Sequence, residues 1–394
     1  MGIKNIKIVD ICAYFVHKPC SGGQVRVFGF NQAMSKYMNI EQFSFTPVLM
    51  WKKTFAYNKK YKEHVHNPLF YTKGVVLLKI LGIKNYDFLV PFIFKFIKPP
   101  RRLREALKRA NLVQVEHPWL LNWVSKHTHK PIILVEHNVE YDLQKNFFSS
   151  GWGKYLADSI KKTEQRAVKK ANLVFAMSKE DKKRLIELYN TRENKVFVVP
   201  NGTNIKGFSS KISSKMSKQQ DRKKIGIEKN KPVVMFMGSK HPPNKRAVEF
   251  IEKHLAPKLK DVLFMIVGNI REKGKKENIV YIGGVENKEL TPYLKASDIA
   301  INPTTQGSGS SLKMFDYMAA GLPVISTKKG VRGIDATPGK DVLISNLKDF
   351  SNTIATLIND KQLQDTLRRN SKKIVNRYDW GVIAHSALKY YKML

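Results

Sequence analysis

The stretch Asp298–Ile325, DIAINPTTQGSGSSLKMFDYMAAGLPVI, decides the fold. Ile299–Ile301 is a short apolar run of the kind found in buried parallel strands, and it closes at Asn302-Pro303. A loop of Gly, Ser and Thr follows. Leu312–Ala320 then reads as a helix, with Gly321 as its stop signal and Pro323 opening the next strand. Strand, Gly-rich loop and helix N-terminus make an anion site, because unpaired backbone N–H groups and the helix dipole converge there. Gly307, Gly309, Ser310, Ser311 and Leu312 offer that backbone. Lys313 adds a full positive charge in the first turn, and Asp316, one turn on, is placed to accept hydrogen bonds from a sugar ring. The expectation is a pocket for a nucleotide-sugar diphosphate.

A chain of 394 residues exceeds one comfortable core, so two domains are expected. With 42% hydrophobic and 26% charged residues it is globular rather than disordered. Cys12 and Cys20 give neither a disulfide framework nor a metal spacing, and a reducing cytoplasm is the simplest setting. The opening MGIKNIKIVD runs directly into a strand, so no leader is expected. The longest apolar run, Phe88–Phe94, is far shorter than the roughly 20 residues that cross a bilayer. The formal net charge of +38 attracts polyanions: nucleic acid, an anionic membrane or phosphorylated substrates.

Outward from the opening stretch, short apolar runs alternate with helical patterns, which means βαβ units and parallel sheets with right-handed crossovers. Ile6–Ile11 is the first strand, and Ser21-Gly22-Gly23 leads into a helix. A Gly-Gly pair there lets a ligand approach the backbone closely. Phe43–Trp51 reads as the second strand. Leu112–Val115 and Ile132–Val135 are strands separated by a Trp119–His127 helix, and the latter strand runs into His137-Asn138-Val139-Glu140. A helix over about 153–170 and the strand Leu173–Ala176 come next, and Ser178 caps a further helix. Residues 205–224, rich in Ser, Lys and Gln, read as a linker. A second α/β series begins with the strand Val233–Met237 and a loop from Gly238 through Lys240 to Asn244. The domains expected are 1–204, 225–376 and a terminal helical segment 377–394.

The segment 52–109 is dense in Lys and Arg and interleaves Phe55, Tyr57, Tyr61, Phe70, Tyr71, Phe92, Phe94 and Phe96. Basic residues mixed with aromatics suit an anionic membrane interface. They also suit single-stranded nucleic acid, where bases stack on rings. A core-packed aromatic set under a solvated basic face is the plain alternative. The expectation adopted is peripheral contact with anionic membrane and no nucleic-acid partner, at the cytoplasmic side of the cell membrane.

Several strings resemble one family in chain order: SGG at Ser21–Gly23, EHNVEYD at Glu136–Asp142, AMSKEDKKRL at Ala176–Leu185 and VVPNGTN at Val198–Asn204. FMGSKHPPNKRAVEF at Phe236–Phe250, GSGSSLKMFDYMAAGLPVIST at Gly307–Thr327 and YDWGVIA at Tyr378–Ala384 continue the series. Together they are similar to the retaining glycosyltransferases of family 4, the "glycosyl transferases group 1" type with the GT-B fold. The resemblance implies two Rossmann-like α/β domains with parallel sheets facing a central cleft, and a C-terminal helix crossing back to the first domain.

It also implies a sugar transfer from a nucleoside-diphosphate-sugar to a lipid-linked or cell-surface glycan, without a metal or other cofactor. In that pattern Gly238, Lys240, Lys245, Gly307, Gly309, Ser310, Ser311, Leu312, Lys313 and Asp316 bind the donor. Gly22, Gly23, Asn138 and Glu140 face the acceptor, and His137 and Asp316 serve catalysis. Family members often have two glutamates eight positions apart where this chain has Ser308 and Asp316. Ser308 supplies no carboxylate, so a degenerate GT-B subunit that binds nucleotide or assists a partner transferase is the other expectation.

Overall fold

The computed structural model describes residues 6–19, 21–47, 53–80, 90–145, 152–205, 215–227, 231–286, 289–307 and 309–394. Cys20, Ser308, the end of the expected second strand at 48–51, and 206–214 of the expected linker lie outside the described residues, as do Phe88 and Leu89 of the longest apolar run. The chain divides into two compact units: Met1–Pro200 with Ile383–Leu394, and Asn201–Val382.

In the first unit, β1 (Lys7–Cys12), β2 (Asn39–Phe45), β3 (Thr54–Asn58), β4 (Tyr61–His66), β5 (Leu112–Glu116), β6 (Ile132–Glu136), β7 (Leu173–Ala176) and β8 (Val196–Val198) form one sheet. Their order is β3-β4-β2-β1-β5-β6-β7-β8. Every residue of β5, β6 and β7 is buried, as expected for parallel strands covered on both faces. All neighbours are parallel except β3 and β4.

That hairpin corrects the sequence reading. The second strand ends at Phe45, and Thr54–His66, expected to belong to a membrane-facing segment, adds two strands to the sheet. Phe55, Tyr61, Tyr71 and Phe94 are buried in the core. Asn58 Oδ1 accepts the Lys60 N–H at 2.8 Å and closes the turn. The helix expected from Trp119 shrinks to Leu121–Val124, because His117 (φ 66°) and Pro118 break the backbone ahead of it.

In the second unit, β9 (Val233–Met237), β10 (Leu263–Val267), β11 (Gly274–Lys276), β12 (Ile279–Gly283), β13 (Ile299–Asn302), β14 (Val324–Ser326) and β15 (Leu343–Ile344) form a sheet. The order is β11-β12-β10-β9-β13-β14-β15, with only β11 antiparallel at an edge. Within the stretch expected as a linker, Lys215–Lys224 is a helix. Its Arg222 is buried and donates to Ala296 O at 2.9 Å and to Asp298 Oδ2 at 2.5 Å. A guanidinium that deep requires such partners, so this part is docked on the second unit rather than open chain.

The chain returns to the first unit at Ile383, where Tyr391 donates to Gln114 at 2.5 Å. No helix among the described residues is long and apolar enough to cross a membrane.

Both sheets reverse their strand order once in the middle, between β1 and β5 and between β9 and β13. The crevice outside the carboxyl ends of strands at such a reversal is where open α/β sheets bind ligands. The loops leaving these strands and the neighbouring β6 carry most of the candidate residues.

Candidate functional site

In the second unit, two loops meet at the strand reversal. The loop after β9 runs from Gly238 into the Pro242–Phe250 helix. A Cβ on Gly238 would stand 2.7 Å from Asn244 Cγ, so the missing side chain leaves the space that Asn244 fills. Asn244 Oδ1 in turn accepts from Lys313 Nζ at 2.7 Å. Lys313, in the first turn of the Leu312–Ala319 helix, lies 4.1 Å over the Phe236 ring centroid. Burial pushes its ammonium down to about 7, since a desolvated cation is disfavoured. It has no carboxylate partner among the described residues. His241 is also depressed, by burial and then by the Lys313 and Arg246 charges. The site is cationic and short of anions.

The loop after β13 packs beside it. A Cβ on Gly307 would touch Pro243 at 3.7 Å, and Gly307 (φ 123°) and Gly309 (φ 67°) both hold left-handed backbone that glycine adopts freely. Ser310 Oγ accepts from Asn201 at 2.7 Å. Ser311 precedes the helix, but its hydroxyl serves Asn302 at 3.2 Å rather than capping. Met314 N–H donates to Ser311 O at 3.0 Å, while the Leu312 and Lys313 N–H groups ahead of it face no intrahelical acceptor, as at every helix start.

One turn on, Asp316 accepts from Thr203 Oγ1 at 2.7 Å. Burial raises its carboxyl to about 6, against the lowering effect of Thr203. Asn201 Oδ1 is buried without a hydrogen-bond partner. Lys240 and Lys245 are exposed and hold no side-chain partner among the described residues. No group of three His, Cys, Asp or Glu residues among the described residues is placed to hold a metal ion.

In the first unit, β5 and β6 both end in Val-Glu-His. His137 Nε2 lies 2.5 Å from Glu116 Oε2, and its ring stacks on His117 with centroids 4.1 Å apart. Burial pushes His137 down to about 4, with the neighbouring His117 adding to the shift. Burial favours a neutral Glu116, but the hydrogen bond from His137 and the nearby cations hold it below the usual range. A neutral imidazole donating Nε2–H to a carboxylate satisfies both, which leaves Nδ1 as an acceptor.

His117 is likewise placed against a glutamate. Its Nδ1 lies 2.8 Å from Glu140 Oε1 and its Nε2 3.2 Å from the Tyr14 hydroxyl. Asn138 donates to the same Glu140 oxygen at 3.3 Å. Gly22 opens the Gly22–Met34 helix. A Cβ on Gly23 would stand 2.7 Å from Tyr14 Oη and 3.8 Å from His137 Nδ1.

Gly23, His137, Asn138 and Glu140 are thus assembled in one place in the first unit. Gly238, Gly307, Ser310, Ser311, Lys313 and Asp316 surround the strand reversal of the second. His137 and Asp316, expected to act together, belong to different units. Sequence reasoning missed Tyr14, Glu116 and His117, although the repeated Val-Glu-His at residues 115–117 and 135–137 signals two equivalent strand ends. It also missed Asn244, Asn201 and Thr203, which lie inside quoted motifs as neutral residues.

Comparison with known proteins bears on the fold and the class of protein. The family model described as Glycosyltransferase Family 4 matches residues 57–206, and that described as Glycosyl transferases group 1 matches residues 231–360. A solved structure of Anabaena HepE in complex with UDP-glucose is 16% identical with a TM-score of 0.70, covering 99% of this chain and 100% of that one. The two α/β units and this likeness define a two-domain Rossmann-like GT-B fold.

With one family model on each unit, the chain is a glycosyltransferase of the GT-B fold. It is 22% identical to an uncharacterized glycosyltransferase of Methanocaldococcus jannaschii over 70% of this chain and 74% of that protein. It is 28% identical to the N,N'-diacetylbacillosaminyl-diphospho-undecaprenol alpha-1,3-N-acetylgalactosaminyltransferase of Campylobacter jejuni, over 51% of this chain and 55% of that protein. The chain therefore spans about half the length of this second relative.

Proposed function

We propose that the chain is a retaining, metal-independent transferase that moves a hexose-type sugar from a nucleoside-diphosphate-sugar to a lipid-linked or cell-surface glycan. The observation that carries this is Lys313. It is a partly buried cation with no anionic partner among the described residues, held by Asn244 and Phe236 at the strand reversal. A diphosphate supplies the missing anion, and the loop glycines let its oxygens reach backbone N–H groups. Asp316, already accepting from a hydroxyl of Thr203, accepts from ribose hydroxyls in the same way.

In the reaction the bond from the sugar's anomeric carbon to the diphosphate breaks, and a bond to the acceptor oxygen forms on the same face. The acceptor proton passes to the departing diphosphate oxygen. Lys313 and the helix dipole stabilise the negative charge that develops on that oxygen. Neutral His137, aligned by Glu116, presents a hydrogen-bonding ring beside Gly23 in the first unit. The lipid-linked acceptor is supported by the activity of the Campylobacter relative, which acts on a diphospho-undecaprenol-linked sugar.

Incubation with UDP-, GDP- and ADP-sugars and a membrane lipid extract tests the reading. Donor turnover in the presence of a chelator, with the product keeping the donor's anomeric configuration, is expected. Absence of both nucleotide binding and turnover overturns it. Nucleotide binding without turnover, together with co-purification of an active transferase, points instead to an accessory subunit, as the Ser308 and Asp316 departures from the family pattern suggest.

A further inference from the structure

The basic aromatic segment splits into two parts of different character. Its hairpin half is core, but the Leu69–Ile80 helix turns an apolar stripe outward. Leu69, Val76, Leu77 and Ile80 are between 51% and 76% exposed. With exposed Lys73 they recur at spacings of three and four, on one helical face.

The opposite face is already used. Tyr71 and Val75 are buried, Tyr71 lies edge-on to Phe94 at 5.6 Å, and a Cβ on Gly74 would stand 3.3 Å from Ile93. The helix therefore rests on the Val90–Phe96 turn. That turn itself exposes Phe92 and Phe96, whose rings meet edge-on at 6.0 Å. Lys95 covers the Phe92 ring at 5.1 Å.

Among the described residues the charge along this segment is mostly basic. Lys73, Lys95, Lys98 and Arg101 are exposed along the same segment, and Glu105 is taken by Arg101 at 2.9 Å. We propose that this face docks on an anionic lipid bilayer. The Leu69–Ile80 stripe and the Phe92–Phe96 pair enter the headgroup–acyl boundary while the basic side chains pair with lipid phosphate.

The choice between anionic partners follows from the side chains. Nucleic acid stacks its bases on aromatic faces, but four of the six exposed apolar side chains are aliphatic and cannot stack. Aliphatic side chains flanked by Lys and Arg are the pattern of helices that lie in a membrane interface. The inference does not depend on the transferase reading, since the vesicles used to test it carry no sugar acceptor.

Sedimentation of the full chain with phosphatidylglycerol–phosphatidylcholine vesicles, against phosphatidylcholine alone, is the test. The triple variant Val76→Gln, Leu77→Gln, Ile80→Gln should partition at least about tenfold less onto anionic vesicles. These side chains are exposed, so its melting temperature and nucleotide binding should match wild type. Lys73→Gln with Lys95→Gln and Lys98→Gln should flatten the salt dependence. Equal binding to both vesicle types, or unchanged binding by the Val76–Ile80 variant, overturns the proposal. A single-stranded oligonucleotide that displaces the vesicles and still binds the Val76–Ile80 variant overturns it in favour of nucleic acid.

Discussion

His117 and His137 stack with ring centroids 4.1 Å apart and planes 20° from parallel. Each ring keeps one nitrogen on a glutamate, His137 on Glu116 and His117 on Glu140. Two imidazoles fixed in this way form a polar wall at the strand reversal, and Gly23 is backed against it.

Glu116 raises the His137 value that burial lowers to about 4. Glu116→Gln removes that charge, so His137 should titrate still lower when followed by NMR. Transfer activity should fall about tenfold, because a neutral acceptor makes the weaker hydrogen bond and orients the ring less firmly. A His137 titration that moves upward would contradict the geometry.

Gly23→Ala places a methyl 2.7 Å from the Tyr14 hydroxyl oxygen and 3.3 Å from the ring carbon bearing it. Tyr14 is tied to His117 through that hydroxyl, so it cannot withdraw without breaking the bond. The variant should lose about 1–3 kcal/mol of stability in urea unfolding, the usual cost of overpacking. The double variant Gly23→Ala, Tyr14→Phe should recover part of this stability, since it removes the closest atom.

Glu164 accepts from the Glu140 and Tyr141 N–H groups at 2.7 and 2.8 Å and from the Tyr189 hydroxyl at 2.5 Å. Burial nevertheless lifts its carboxyl to about 8. Its folded value exceeds its unfolded one, so its contribution is complete at low pH and is lost as pH rises toward 8. Between pH 5 and 8 that loss is on the order of 4 kcal/mol for a buried group. Glu164→Gln should remove this part of the slope when unfolding is measured across the range. Parallel pH profiles for variant and wild type would refute it.

The parallel strands of both units were legible in the sequence because β5, β6, β9, β10 and β13 are continuous apolar runs bounded by turn residues. The β3–β4 hairpin was not. Its Lys-rich turn and half-buried Tyr57 mimic a basic surface, and only pairing with β2 reveals Phe55 and Tyr61 as core. Lys313 and Asp316 stood out by charge at a helix start. Asn244 and Thr203 did not, because neutral side chains act only through the partners that folding brings to them, here Lys313 and Asp316.

Asp316 is one methylene shorter than the glutamate of the family pattern. If it holds ribose, Asp316→Ala should weaken binding of a ribonucleoside diphosphate about 10- to 100-fold, the loss of one or two hydrogen bonds to a charged acceptor. The 2′,3′-dideoxy analogue should bind the wild type and the variant alike. A variant that weakens both nucleotides equally would place Asp316 elsewhere than at the ribose.

Lys313 gives the sharpest prediction because its charge state and its role are coupled. In the free protein burial holds its ammonium at about 7, so above neutral pH most molecules carry a neutral amine over the Phe236 ring. A diphosphate binds the charged form, and its binding must then supply the proton. Affinity for a nucleoside diphosphate, measured by calorimetry, should be flat below pH 7 and fall by up to about tenfold per pH unit above it. Lys313→Ala should bind more weakly by about 1.5–3 kcal/mol at neutral pH, the worth of a charge-assisted contact. Its affinity should not follow this slope, so the wild-type curve descends toward that of the variant as pH rises. Two curves that stay parallel to pH 9 would show that Lys313 does not touch phosphate.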